Sequence, residues 1–265
     1  MDALYEGRWP TNSQRTFWSL TDQLIQKYSV LMVMEADATQ IHQIREEAKS
    51  QGKLAPSITA FLLKAAARTM ALHPCANEAI LGPPFLRRVY RFNNTNIAVA
   101  VEKSHGVPGQ AMASVVKDAG QQSLAEITLE LRRLRDCTPE NDAVLRQLNN
   151  ILRRVPWPLG KLILRLPTYL PSLWVQHRGC AAWVNAPAQA GVDLTVTSWA
   201  WPITFSCGLM KERPWIHRGE LTVRRTIPLV MAFDRRIMGG GPASRTLRTF
   251  KDLLENAATE LRPGE

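Results

Sequence analysis

GLMKERPWIHRGELTVRRTIPLVMAFDRRIMGG, from Gly208 to Gly240, is the stretch whose reading decides the fold. Trp215-Ile216 and Leu221 to Arg225 flank the polar, glycine-bearing piece His217-Arg218-Gly219-Glu220, the pattern of a β-hairpin. Thr226 to Phe233 continues as a longer apolar strand. The run Gly239-Gly240-Gly241 permits a tight backbone, but no Lys-Ser/Thr follows it, so it is not a phosphate loop. It ends the strand ahead of a last helix, about residues 243–261, whose Leu247, Phe250, Leu254 and Ala257 share one face.

Upstream the same alternation of strand and helix recurs. The apolar run from Val30 to Glu35 reads as a strand, and Asp37 and Thr39 can cap the helix marked by Ile41, Ile44 and Ala48. Ser57 can cap a second helix in which Ile58, Phe61, Leu62 and Ala65 recur at helical spacing until Pro74 closes it. From Asn96 to Glu102, Ile97, Val99 and Val101 point to one side with alanines between them, as in a strand covered on both faces. Ser123 and Glu126 form a capping box ahead of Leu124, Ile127, Leu131 and Leu134. Residues 151–176 contain four prolines, Pro156, Pro158, Pro167 and Pro171, and read as short helical turns packed over the surface.

The chain has 265 residues, 45% of them apolar, which suffices for one domain with a real core. Met1 to Pro10 lacks a basic segment followed by an apolar one, and no run of about 18 apolar residues occurs, so neither a signal peptide nor a membrane span is expected. Cys75, Cys137, Cys180 and Cys207 have no zinc or redox spacing and read as reduced thiols, and a cytoplasmic location is expected. The net charge of +10 suits a polyanion. With no helix-turn-helix, zinc-finger or RNA-binding signature, nucleic acid is not the expected partner. Residues 156–178, PWPLGKLILRLPTYLPSLWVQHR, interleave Leu, Trp and Tyr with Lys161, Arg165 and Arg178. They suit either an anionic membrane surface or an interior cover with a basic rim, and internal prolines disfavour the long amphipathic helix that the first requires.

Three stretches together resemble the catalytic domain of the 2-oxo acid dehydrogenase acyltransferases. Ser57 to Ile80 is similar to the family helix that runs into a Pro-x-x-Asn turn, here Pro74 and Asn77. Asn96 to Ile127 is similar to its strand, Gly-turn, strand and "SLAEI" helix. Gly208 to Gly240 has the hairpin and the spacing that lead to its "SFDHRxxDG" signature. The resemblance implies an α/β chloramphenicol acetyltransferase-like two-layer sandwich with a mixed sheet and covering helices. It also implies that residues 1–265 form a single acyltransferase-like catalytic domain, without a lipoyl domain, a swinging-arm lysine or a peripheral subunit-binding domain.

The departures from the signature bear on function. The family histidine is a general base, and Arg235 holds its place in DRRIMGG; a guanidinium stays protonated and offers only donors. Arg235 suits either a ligand's phosphate or carboxylate, or a structural pair with Asp234 or another acid. The signature aspartate is replaced by Gly239. The family's oxyanion-stabilising hydroxyl corresponds to Asn185, within a residue or two, in GCAAWVNAPAQAG, and an amide still donates to an oxyanion. His105, in the turn KSHGVPG beside the family's substrate-channel turn, is the candidate stand-in base, although Gly106 and Pro108 explain that turn without chemistry. His42 and His73 fall on helices, His217 in the hairpin, and His177 near the Asn185 stretch.

The resemblance further implies coenzyme A or an acyl-CoA as cofactor, no metal, and a homotrimer or a mixed trimer with a homologue, with each site in a channel between subunits. An acyltransferase acting on a small-molecule or carrier-bound substrate is the favoured reading. A non-catalytic ligand-binding or assembly partner of an active homologue is the alternative.

Overall fold

In the computed structural model, the described residues are 5–9, 29–102, 111–138, 146, 154, 163, 165–186, 191–196, 200–217 and 219–262. The hairpin strand and the long apolar strand foreseen in the Gly208–Gly240 stretch are one continuous element. Strand β10, Glu220–Asp234, pairs first with β9, Lys211–His217, then with β8, Ile203–Cys207, and along its other edge with β2, Ser29–Asp37. Beyond β8 lie β7, Ala182–Asn185, β5, Ile97–Glu102, and β6, Ala111–Val116, giving the order β2-β10-β8-β7-β5-β6. The β7–β8 and β5–β7 pairs are parallel and the others antiparallel, so the seven-stranded sheet is mixed. A small second sheet sets β4, Arg88–Phe92, between β1, Tyr5–Arg8, and β3, Glu78–Leu81.

Because side chains alternate across a strand, each sheet residue is committed to one face. Phe205 of β8 stacks on Phe250 with ring centroids 4.3 Å apart, which fixes the helix-covered face. That face also takes Val184, Leu229, Met231 and Phe233, all buried. The helices over it are α1, Thr39–Ser50, α2, Ile58–Leu72, α3, Leu124–Arg135, and α5, Gly240–Glu255. The shorter α4, Pro171–Arg178, precedes β7, and α6, Ala257–Glu260, follows α5.

The local signals act as their chemistry demands. Ser57 Oγ accepts from Ala60 N–H at 3.1 Å, and Ser123 with Glu126 completes the capping box. At the start of α1 the capping position is Ala38, but Asp37 reaches forward to accept the Thr39 N–H at 2.9 Å. The turn after α2 is a 3-10 turn, Pro74–Ala76, locked by Asn77. The Asn77 amide donates to the carbonyls of Phe92 at 2.9 Å and Asn94 at 3.0 Å, and accepts from Ala181 N–H at 3.2 Å.

Three expectations change. The last helix begins earlier, at Gly240, and breaks at Asn256. The proline-rich segment is more than surface turns: Trp174 and Val175 of α4 are core residues, and Trp174 donates to Cys180 O at 3.1 Å, so this end of it is an interior cover. The small sheet and β8 are additions that apolar periodicity does not reveal, since each of their strands has only four or five residues.

Candidate active site at the ends of the central strands

The turn that follows β10 is built by Asp234. Its carboxylate accepts from Arg236 N–H at 2.9 Å and from the Arg236 guanidinium at 3.0, 3.2 and 2.7 Å, a fork-on-fork pair that is largely buried. Ile237 N–H closes the turn onto Asp234 O at 3.0 Å. The expected alternative of an Asp234–Arg235 pair is thereby corrected, because residues i and i+2 meet across this turn while i and i+1 diverge. Arg235 is exposed and has no hydrogen bond or ion pair among the described residues.

Gly239 is the N-cap of α5, with φ −82° and ψ 176°, and its carbonyl accepts from Ala243 N–H at 3.1 Å. This is ordinary extended backbone, and a Cβ placed there meets nothing within 4 Å. The position accommodates a carboxylate that the chain does not carry.

Asn185 closes β7, half-buried, opposite Ser206 in the parallel ladder. The structure does not bring it to Arg235. Asn185 is level with Ser206, whereas Asp234 lies past the other end of β8, with its N–H bonded to Pro202 O at 2.8 Å. Four residues of strand and two strand spacings separate the backbones by about 16 Å. His105 lies outside the described residues. His42 sits beside Arg225, 3.4 Å from its guanidinium, and His177 is exposed on α4. His73 shares a 2.8 Å hydrogen bond with Thr249, and burial, then the charge of Arg245, lowers its pKa. His217 lies at the end of β9 opposite Glu220.

The thiols near the site are inert. Burial pushes Cys180 and Cys207 up to about 12, so neither supplies a thiolate near neutral pH. Among the described residues no group of three His, Cys, Asp or Glu side chains suits a metal ion, and no helix is long and apolar enough to cross a membrane.

Sequence reading missed the polar side of β8. Thr204 and Ser206 are each 1% exposed, and their hydroxyls have no hydrogen-bond partner among the described residues. Both project from the face opposite Phe205, beside Trp183 and Asn185 respectively. The alternation in ITFSC carries this signal, but only once the strand itself is recognised.

Comparison with known proteins agrees with this architecture. The family model for "2-oxoacid dehydrogenases acyltransferase (catalytic domain)" matches residues 11–150 and 204–261, a span that includes Arg235 and leaves out the Asn185 segment. The dihydrolipoyllysine-residue acetyltransferase component of the pyruvate dehydrogenase complex of Mycoplasma capricolum is 24% identical over 221 residues, 82% of this chain and 43% of that protein. The chain thus spans less than half the length of that curated relative. The Azotobacter vinelandii dihydrolipoamide acetyltransferase superposes with a TM-score of 0.64 at 17% identity, covering 96% of this chain and 93% of that one. Its structure addressed the catalytic roles of a serine, a histidine 52 positions later and an asparagine four beyond that. A chloramphenicol acetyltransferase superposes with a TM-score of 0.53 at 16% identity over 93% of this chain and 96% of that one, and the expected fold is the one observed. With the family match running through both the helical half and the β10–α5 turn, the chain belongs to the 2-oxoacid dehydrogenase acyltransferase (catalytic domain) family.

Proposed function

We propose that this protein binds acyl thioesters of coenzyme A or of a carrier and passes the acyl group to a small-molecule acceptor, in a site completed by a second copy of the chain. Arg235, unpaired among the described residues, carries the reading. It stands four residues before Gly239, the spacing of the histidine and asparagine in the Azotobacter enzyme, and Asn185 stands 50 residues before it where that enzyme has 52. Within one chain the two side chains lie at opposite ends of the sheet, so a site using both takes Arg235 from one copy and Asn185 from a neighbour. Uncovered apolar side chains support such packing: Leu31 and Val33 on β2, and Ile216, Leu221 and Val223 on the β9–β10 ribbon.

Arg235 removes no proton, so its contribution is electrostatic. A cation beside a thiol acceptor favours the thiolate, and the proton passes to water. The thiolate attacks the thioester carbonyl while the Asn185 amide donates to the oxyanion. The carbon–sulfur bond to coenzyme A then breaks, and the departing thiolate recovers a proton from water. The same guanidinium suits a phosphate or carboxylate on the acceptor.

The absence of an imidazole or a carboxylate at Arg235 and Gly239 favours the second reading, a non-catalytic partner of an active homologue. Thermal unfolding with coenzyme A separates the two. Ligand at 100 times its dissociation constant stabilises the native state by about 2.7 kcal/mol, so a clear rise in melting temperature is expected. No shift at millimolar coenzyme A contradicts the thioester reading and leaves the assembly role.

A further inference from the structure

We infer that Thr204, Ser206 and Asn185 form a polar row that selects acyl groups carrying a hydroxyl, a specificity that rests on the thioester reading above. Hydroxyls in a protein interior find partners as a rule, because an unpaired one has lost its water and gained nothing. Among the described residues Thr204 and Ser206 break that rule together, two residues apart on one strand and on one face. The rest of β8 behaves as core: Ile203, Phe205 and Cys207 are at most 1% exposed and face the helices or their edge. Had this strand only to fill space, valine or alanine would do so without stranding a polar atom.

The position of the row gives the orphans a use. Ser206 is the ladder partner of Asn185, so its hydroxyl and the candidate oxyanion amide lie side by side, one strand spacing apart, about 4.8 Å. Thr204 lies one repeat deeper, about 7 Å further along the strand. Asn185, at the end of β7, is half-buried, whereas Ser206 and Thr204 are both 1% exposed, with buried Trp183 beside Thr204. A thioester carbonyl held at Asn185 and Ser206 points a short acyl chain toward Thr204, and a hydroxyl on carbon three or four of that chain comes within its reach. An all-hydrocarbon chain in the same place leaves the Thr204 hydroxyl unpaired. A site that hydrogen-bonds a substrate hydroxyl discriminates strongly against the analogue that lacks it, for that reason.

The test compares coenzyme A, butyryl-CoA, and 3- and 4-hydroxybutyryl-CoA by thermal unfolding of the wild type, Thr204→Val and Ser206→Ala. In wild type a hydroxybutyryl thioester is expected to bind at least tenfold more tightly than butyryl-CoA, and Thr204→Val is expected to erase the difference. Without ligand, both variants are expected to melt about 2–4 °C higher, since each removes a stranded hydroxyl. Equal shifts with butyryl and hydroxybutyryl thioesters, alongside a clear shift with coenzyme A, overturn this inference and leave the thioester reading intact. No shift with any of them overturns both. Lower melting temperatures of both unliganded variants show that the hydroxyls support the fold instead, and overturn the inference on that ground alone.

Discussion

The proposed site sets an arginine on the turn after β10, and a guanidinium limits what that turn can do to a proton. It cannot accept one, but it can hold an anion, and the Asp234–Arg236 clasp leaves it free to do so. Arg235 and Gly239 were legible in the sequence because a short motif fixes both by spacing. The choice of Arg236 as the partner of Asp234 was not, since sequence adjacency says nothing about which side of a tight turn each side chain leaves by. Asn185 was legible only to within its strand, and its register against Ser206 depends on β8, a five-residue element. Gly239 permits a residue-scale prediction. Its extended backbone and open surroundings accept Gly239→Asp without strain, and a carboxylate at that N-cap can accept from Gly241 N–H at the start of α5, Pro242 after it having no N–H. The variant is expected to be more stable by a few tenths to about 1 kcal/mol. A lower denaturation midpoint would show that the site is more crowded than this geometry allows.

The β9–β10 ribbon shows how an element is held where its own surface cannot hold it. Residues 220–226 of β10 pair with β9, and the β2 ladder begins at Thr226, so most of the ribbon has two strands, an arrangement of marginal stability alone. Charge anchors its base. Arg213 donates to Glu35 at 2.6 Å and to Thr226 at 2.8 Å, and Arg224 pairs with Asp37 at 3.1 Å. Its tip meanwhile exposes Ile216, Leu221 and Val223, each more than 70% accessible. The hairpin was legible because its turn and flanking residues are local. Its bare apolar face was not, because alternation in sequence does not say which face the helices reach. On the proposed packing between copies, the double change Ile216→Glu and Leu221→Lys is expected to lower the molar mass in light scattering from that of an assembly to that of a monomer, with the far-ultraviolet circular dichroism unchanged. A wild type that is already a clean monomer at micromolar concentration would contradict this use of the ribbon.

At the scale of the whole molecule the sequence told most about connectivity and least about assembly. Capping residues, the Pro-x-x-Asn turn and the capping box each act within a few residues, and they appear as read. The about 16 Å between the backbones of Asp234, just before Arg235, and Asn185 follows from sheet order, which no local pattern encodes. That separation turns a single-chain motif into a claim about neighbouring copies and about a scaffold that kept its site while exchanging its base for a cation. The most direct test is acyl transfer from acetyl-CoA to a small thiol by wild type, Arg235→His and Arg235→Ala, across pH. The account predicts that Arg235→His gains activity, by up to the ~10²–10⁴-fold typical of general-base catalysis and less without a supporting carboxylate at residue 239. The gain should appear as pH rises through about 6.5, where an ordinary imidazole loses its proton, while Arg235→Ala stays at or below wild type. Equal gains from alanine and histidine, or no gain from histidine at any pH, would contradict it.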